Sequence, residues 1–412
     1  MCCGFIGLLV EYIPMKYLIL GAGPSGLTFA NSLLRNGEED FLVLERFPEA
    51  GGLCRSAMVD GSPFDIGGGH FLDVKNPNVT EYMFSFLKEE EWDCYERNSQ
   101  IDLYGDMIGS PIEANIWQLP KDKQKKYLDS IEVAGCNRGI DKPEKFTEWI
   151  NWKLGDAISE DYMIPYNQKM FGEDLDLLGT YWLEKLPNVS YEETKLSCEN
   201  HKPYGTQPGH ARFYYPKEYG YGEAFIKMAE ALGDRIKYNE TVESIDYENR
   251  IVNDKYQADV IIITIPYKSI KEHRNLPKEY VNIIDSLKYS SVVTAYEEDN
   301  LDTKAHWIYY PDPKLSYHRI LVRHNFCPNS KGYWTETNLT RYDEDKANKE
   351  GKTYFVNDYA YPLNTIGKQE NMHEFLTYLK SKNIFGLGRW GEWQHYNSDV
   401  VMQRAMDLAA NI

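Results

Sequence analysis

The chain is short of positive charge. Its 45 lysines and arginines face 63 aspartates and glutamates, a formal charge of −18. A field of that sign repels nucleic-acid backbones and anionic lipid headgroups, so neither is expected as a partner. Any anionic ligand must then be met by a local basic pocket. Paired cysteines are missing as well. Cys2, Cys3, Cys54, Cys94, Cys136, Cys198 and Cys327 contain no Cys-x-x-Cys spacing and no histidine-rich neighbourhood. That argues against a metal site and suits a reducing, cytoplasmic compartment. Long apolar runs are lacking too: the patch Gly4–Val10 is too short to span a bilayer and has no basic region or cleavage site beside it. The 14 residues ahead of Met15 read either as an unstructured extension or as an artefact of the assigned start. Neither an internal repeat nor a low-complexity linker interrupts the remainder.

What is present begins at Lys16-Tyr-Leu-Ile-Leu-Gly-Ala-Gly-Pro-Ser-Gly26. Tyr17–Leu20 is an apolar run long enough for one buried parallel strand and too short for a helix. Gly21, Gly23 and Gly26 follow in G-x-G-x-x-G spacing, and Leu27–Arg35 then reads as a helix. This order lets backbone approach a pyrophosphate at a helix N-terminus. Phe41–Leu44 is the next apolar run, and Glu45 closes it 19 residues past Gly26, where a carboxylate can accept the hydroxyls of an adenosine ribose.

Two more glycine clusters follow, Gly51-Gly-Leu-Cys-Arg55 and Gly67-Gly-Gly-His70. Three glycine-rich approaches within fifty residues suit one long ligand touched repeatedly by backbone, and FAD fits better than a nicotinamide dinucleotide. Downstream, residues 92–119 read as short strands turning at Tyr104-Gly105-Asp106, and 121–196 as mainly helical. Val242–Asp246 and Asp259–Ile265 read as strands, the latter buried on both faces. Aromatic strands fill 289–340, and a helix from Asp399 to Asn411 closes the chain. With 412 residues, two or three packed units are expected. The fold class is α/β, with a discontinuous Rossmann-type FAD-binding domain, glutathione reductase-like, carrying inserted helical and antiparallel-sheet substrate domains. Its three parts are placed at 15–75, 206–266 and 366–412; the sheet domain at 76–120 and 267–365; the helical insertion at 121–205. Aromatic richness, 14% of residues with 32 tyrosines, suits ligand stacking and a homo-oligomer.

These segments resemble the FAD-dependent superfamily of amine oxidases, protoporphyrinogen oxidase and UDP-galactopyranose mutase. Within it the galactopyranose mutases, above all their eukaryotic form, are the nearer match. Gly67-Gly-Gly-His70 is similar to the mutase segment whose histidine lies beside the flavin. His306-Trp-Ile-Tyr-Tyr-Pro311 through Tyr317-His-Arg319 resembles the stretch that supplies a phosphate-binding tyrosine and an active-site arginine, which places those roles on Tyr309 and Arg319. Tyr359-Ala-Tyr-Pro362 and Gly388–Asp399 resemble the C-terminal pair, with Tyr361 near the diphosphate and Arg389 near the flavin. Two positions depart from the pattern. Tyr214 stands where mutases carry an arginine two residues before the proline, with Arg212 nearby but out of register. His395 replaces their diphosphate-binding tyrosine.

The candidate catalytic residues are therefore Arg319 and His70, and the candidate substrate contacts are Tyr309, Tyr361, His395, Tyr214 and Arg323. Arg323 enters because it lies two strand periods past Arg319, on the same face of an unbroken strand. Candidate FAD contacts are Gly21, Gly23, Pro24, Ser25, Gly26, Glu45, Arg46, Gly52, Leu53, Gly68, Gly69, His70, Val242, Gly388, Arg389, Asn397 and Asp399. Trp390 and Trp393 read as core. The resemblance implies a small-molecule substrate, a nucleotide sugar, isomerised between pyranose and furanose by reduced FAD with no net redox change. NAD(P)H is a candidate reductant. The alternatives are an amine oxidase or protoporphyrinogen oxidase type of oxidoreductase, in which FAD takes a hydride, and a flavin-binding scaffold without turnover.

Overall fold

The computed structural model describes residues 12–183, 188–205 and 211–412. Cys2, Cys3 and the patch Gly4–Val10 lie outside them. The chain forms two compact units.

The first unit is drawn from residues up to Gly52, from Phe225–Leu287 and from Glu370–Ile412. Its sheet is built on strand Ile13–Leu20, which pairs in parallel with Phe41–Leu44 on one side and Tyr256–Ile263 on the other. Ile236–Lys237 and Ile384–Gly386 extend the parallel part. Leu18, Ile19, Leu20, Ile261, Ile262 and Ile263 are all fully buried. A strand with helices on both of its faces has no polar side to show, so continuous apolar runs mark these positions. Helix Pro24–Arg35 follows the first strand directly. The Asn31 amide ties it to its neighbour by donating to the carbonyls of Leu27 and Met228, each at 2.9 Å.

The second unit comprises Leu53–Ala224 and Lys288–Gln369. Its seven-stranded sheet runs, in spatial order, Tyr354–Pro362, Tyr289–Glu297, Tyr333–Asn338, Arg319–Leu321, Trp307–Tyr309, Ser99–Leu103 and Asp106–Gly109. The pairing is antiparallel except between Trp307–Tyr309 and Ser99–Leu103. Helices Lys121–Glu132, Phe146–Ile158 and Ile164–Phe171 enclose a core that includes Tyr127, Phe146, Ile150 and Phe171. A π-helical turn, Ser159–Met163, separates the last two helices. Such turns are uncommon and recur at functional sites.

The divisions differ from those expected. Residues 53–75 belong to the second unit because their backbone is bonded into it. The Ile66 carbonyl accepts from Thr294 Oγ1 at 2.6 Å and from Asn357 Nδ2 at 2.8 Å. Strand Arg212–Pro216 likewise pairs with Trp92–Glu96 in that unit. Residues 267–287 fall in the first unit, where Glu272–Arg274 pairs in parallel with Ser244–Asp246. The short strand expected from Val242 starts only at Ser244.

Arg323 also departs from expectation. The strand carrying Arg319 stops at Leu321, and Arg323 opens a 3₁₀ turn. The residue is fully buried. Its Nε donates to Lys331 O at 2.7 Å, and its Nη1 reaches the carbonyls of Val59, Ser62 and Pro63 at 2.9 to 3.2 Å. The guanidinium thus holds the hairpin Ser56–Val59/Ser62–Asp65 to the sheet and is not presented to a ligand. Replacing Arg323 with Met would remove all four of these bonds and should cost about 3 kcal/mol in chemical denaturation. Ligand affinity of the folded fraction should not change.

Asp65, at the end of the same hairpin, is fully buried. It is bonded to Ser56 Oγ at 2.5 Å, to the Tyr215 hydroxyl at 3.1 Å and to the Tyr221 N–H at 3.3 Å. Burial pushes its pKa up to about 7, against the pull of those three bonds. The folded state therefore favours the protonated form. Its contribution is fully present below the unfolded carboxyl's pKa of about 4 and is lost as pH rises through about 7. Asp65→Asn should accordingly reduce the fall in unfolding free energy between pH 4 and pH 8 by ~4 kcal/mol, read from denaturant titrations at each pH.

Candidate functional site

In the first unit the glycine turn is built from three different constraints. Gly21 has φ +104°, and a Cβ there would lie 2.7 Å from Thr264 Oγ1. A Cβ on Gly26 would run into the Gly21 carbonyl. Gly23 alone has room: the nearest atom to a Cβ there is Gly52 Cα at 3.8 Å. Gly21 and Gly26 are thus glycines for the fold, whereas Gly23 keeps a bare face at the start of helix Pro24–Arg35. As N-cap it supplies no side chain, and no acid occupies the helix's first turn. Amides and macrodipole there favour an anion. The Glu45 carboxylate sits against this turn, 6% exposed. Its Oε2 accepts the Ala22 N–H at 2.8 Å and its Oε1 the Phe47 N–H at 2.9 Å. These residues fit the adenosine diphosphate half of FAD, with Gly23 and the first-turn amides on the phosphates and Glu45 on the ribose.

Of the other expected flavin contacts in this unit, Gly52 has φ +56° and lies against Gly23. Arg46 is exposed, its guanidinium 4.5 Å from the Phe47 ring centre. Gly388 packs on Ser25, where a Cβ would run into the hydroxyl. Arg389 donates twice to the Tyr396 carbonyl, at 2.8 and 3.0 Å. Asn397 caps, and Asp399 enters, the helix Ser398–Ala409. Val242 is buried. His395 lies half-buried in the loop before Asn397. Trp390 and Trp393 are core residues.

In the second unit the chemistry gathers around Arg319, whose side chain is 20% exposed. The strand register sets it opposite both Tyr309 and Glu336. Its Nε and Nη2 donate to one oxygen of Glu336 at 2.8 and 2.5 Å. The other Glu336 oxygen accepts the Gly69 N–H at 3.0 Å. Burial alone would push this carboxyl up. The Arg319 charge, the His318 ring and the Gly69 N–H together bring it down to about 2, so it is ionised. His318 is equally buried, 3.6 Å from the same carboxylate. Burial depresses its pKa, which keeps the imidazole neutral beside Arg319.

One carboxylate therefore orients Arg319 and also pins the turn before His70. Gly68 has φ +91°, and a Cβ on it would lie 2.5 Å from Glu336 Oε1. His70 Nδ1 is 2.9 Å from the Gly68 carbonyl, and its ring lies nearly parallel to Tyr221 at 6.4 Å. Tyr166, Tyr309 and Tyr361 all interact electrostatically with Arg319. Tyr166 meets the Tyr309 ring edge-to-face at 5.5 Å. Tyr214 is not part of this group: it pairs with Leu72 and Cys94 and packs on Phe84 at 5.2 Å. Leu53, the last expected flavin contact, has its carbonyl covered by Gly67, where no Cβ fits.

Sequence reasoning missed Glu336 and Tyr166. Glu336 carried a signal: an acid in the centre of the strand Tyr-Trp-Thr-Glu-Thr-Asn requires a counter-charge once buried. Tyr166 follows directly on the π-helical turn, for which no local pattern exists. Among the described residues no group of three or more His, Cys, Asp or Glu could hold a metal ion, and no helix is long and apolar enough to cross a membrane.

Comparison with known proteins shows the family and the fold. Residues 24–299 match the family described as flavin containing amine oxidoreductase, and the chain belongs to it. It is thus an FAD-dependent flavoenzyme of the amine oxidase superfamily. A UDP-galactopyranose mutase from Mycoplasma pneumoniae is 23% identical over 98% of this chain and 97% of its own length. The crystal structure of a reduced UDP-galactopyranose mutase superposes with a TM-score of 0.86 at 23% identity, covering 96% of this chain and 93% of that one. A putative protoporphyrinogen oxidase from Exiguobacterium sp. superposes at 0.71 with 15% identity, covering 97% and 99%. At these identities the structures establish a common fold.

Glu336→Gln should leave the partly buried Arg319 beside an uncharged partner. A loss of about 3 kcal/mol in urea unfolding is expected, because breaking one side of a buried pair strands the other. The Glu336→Asp variant, which keeps the charge, should lose less.

Proposed function

We propose that the protein is a UDP-galactopyranose mutase-like isomerase, interconverting the pyranose and furanose forms of a nucleotide sugar on reduced FAD. The observation that carries this reading is the set of Arg319 and the three phenols of Tyr166, Tyr309 and Tyr361. Expelling a nucleoside diphosphate from an anomeric carbon builds negative charge on the leaving oxygen. A guanidinium already held by Glu336, with phenols around it, would stabilise that charge with little reorganisation. When bound and reduced, the flavin would supply the electron-rich partner for the anomeric carbon.

The chain's own residues would bind, orient and shield. Gly23, the first-turn amides and Glu45 of the first unit would hold the cofactor's adenosine diphosphate half. Arg319, fixed by Glu336, would take the sugar diphosphate with Tyr309 and Tyr361. NAD(P)H is the reductant we assign.

The family match also supports a second reading, an oxidoreductase taking hydride from an amine or porphyrinogen. An ammonium substrate, however, would face a guanidinium at Arg319, which disfavours its binding.

An anaerobic assay separates the two. Dithionite-reduced protein should convert UDP-galactopyranose to its furanose form without releasing hydrogen peroxide, and the oxidised protein should not. Flavin bleaching by amines or porphyrinogens, with peroxide on re-aeration, would establish the oxidoreductase instead. Arg319→Ala should lower kcat/KM by about 100-fold, the usual cost of removing an oriented charge-stabilising donor. A loss under about tenfold, roughly 1.4 kcal/mol of barrier, would remove Arg319 from the assigned role.

A further inference from the structure

Two groups beside the Tyr309 hydroxyl have no place in the account so far, Arg97 and Trp307. Arg97 follows strand Trp92–Glu96, where its backbone N–H donates to Ala211 O at 2.9 Å. Its Nε donates to Ser99 Oγ at 2.9 Å and its Nη2 to the Tyr309 hydroxyl at 3.3 Å. The guanidinium lies 5.0 Å from the Trp307 ring centre, which holds its plane. Trp307 Nε1 donates to the same Tyr309 hydroxyl at 2.9 Å.

The Tyr309 oxygen thus receives two N–H donors from groups that cannot accept. An indole N–H and a guanidinium have donor capacity only, whereas a phenol oxygen has one proton of its own to give. With its acceptor capacity taken, the Tyr309 hydroxyl must act outward as a donor. Among the described residues no acceptor takes that proton. Arg319 shows the same state in part, because Nε and Nη2 are held by Glu336 while Nη1 has no acceptor among the described residues.

Charge completes the argument. Glu336 compensates Arg319 almost wholly, so that pair alone offers directed donors but little net charge. A diphosphate carrying two or more negative charges needs a further cation, and Arg97 is the one bonded to the same hydroxyl. We propose that Arg97 is the second cation of the Arg319 site, and that with Trp307 it locks Tyr309 as a hydrogen-bond donor to a diphosphate-type anion. The inference rests on the nucleotide-sugar reading and names the residue that sets the charge its site accepts. Arg97 acts on the ligand by its charge and by holding Tyr309, and is a positioning residue for that hydroxyl.

The test is titration calorimetry on the FAD-loaded protein with UDP, inorganic pyrophosphate and uridine. Arg97→Gln should weaken UDP and pyrophosphate at least tenfold and change uridine less than twofold. Arg97→Lys, which restores a point charge but not the fork, should recover part of the loss. Tyr309→Phe should weaken UDP about fivefold, and adding Arg97→Gln to it should cost less than the two losses multiplied, since both act through one hydroxyl. UDP affinity within twofold of the parent in Arg97→Gln overturns the proposal, and leaves the functional reading intact if Arg319→Ala still weakens UDP. If Arg97→Gln fails to retain flavin, the decision passes to Tyr309→Phe, whose unchanged UDP affinity would equally overturn it. A parent protein that binds neither UDP nor pyrophosphate overturns both the inference and the nucleotide-sugar reading.

Discussion

A carboxylate sealed from water is tolerated only where a counter-charge and hydrogen-bond donors reach both of its oxygens. Glu336 meets that condition through Arg319 on one oxygen and the Gly69 amide on the other. Two consequences follow from one side chain. The fork of Arg319 cannot rotate without breaking two short bonds, so the direction of its remaining nitrogen is set before any ligand arrives. The glycine turn before His70 must also pass close to the carboxylate, which is why Gly68 has no room for a Cβ. Such a pair adds little net stability compared with an apolar replacement. Its effect is on geometry: it converts a flexible arginine into a fixed donor.

Legibility in the sequence follows the range of the interactions. The dinucleotide turn was readable because strand, glycines, helix, second strand and Glu45 are contiguous and each has a local signature. The register then places Leu20 beside Leu44 as that reading requires. The Arg319 cluster was half readable. The resemblance supplied Arg319, Tyr309 and Tyr361, but their partners come from distant stretches: Arg97 is 212 residues from Tyr309, and Gly69 is 267 from Glu336. Spacing rules cannot reach across such intervals.

The errors have equally local causes. Arg323 was placed by strand periodicity, and periodicity holds only while the strand continues. Here the chain turns at Arg323, and the guanidinium is drawn inward to carbonyls of the hairpin and of Lys331. The boundary set at residue 75 failed for a related reason. The glycine clusters from Gly51 to Gly69 look alike in sequence, yet their backbones are bonded to different partners. Gly51 donates to Ala22 in the parallel-sheet unit, whereas Ile66 accepts from the antiparallel sheet. Composition reports that a backbone must come close to something, and only the hydrogen bonds report to what.

A common flavin-binding fold leaves the reaction open, because hydride removal and sugar isomerisation both need the same cofactor cradle. What separates an amine substrate from a nucleotide sugar is the charge the site presents. The chain carries −18 overall, so an anionic nucleotide is repelled at long range and gains nothing from steering. Its affinity must come from contacts inside a Debye length, about 8 Å at physiological salt. Within that distance the second unit offers Arg319, already oriented by Glu336, and a Tyr309 hydroxyl whose acceptor side is filled by Trp307 and Arg97. A cation entering the same cluster would find donors where it needs acceptors. The acidic surface would draw such a cation in, and the interior would then reject it. Surface field and site polarity oppose each other here, and the binding step belongs to the site.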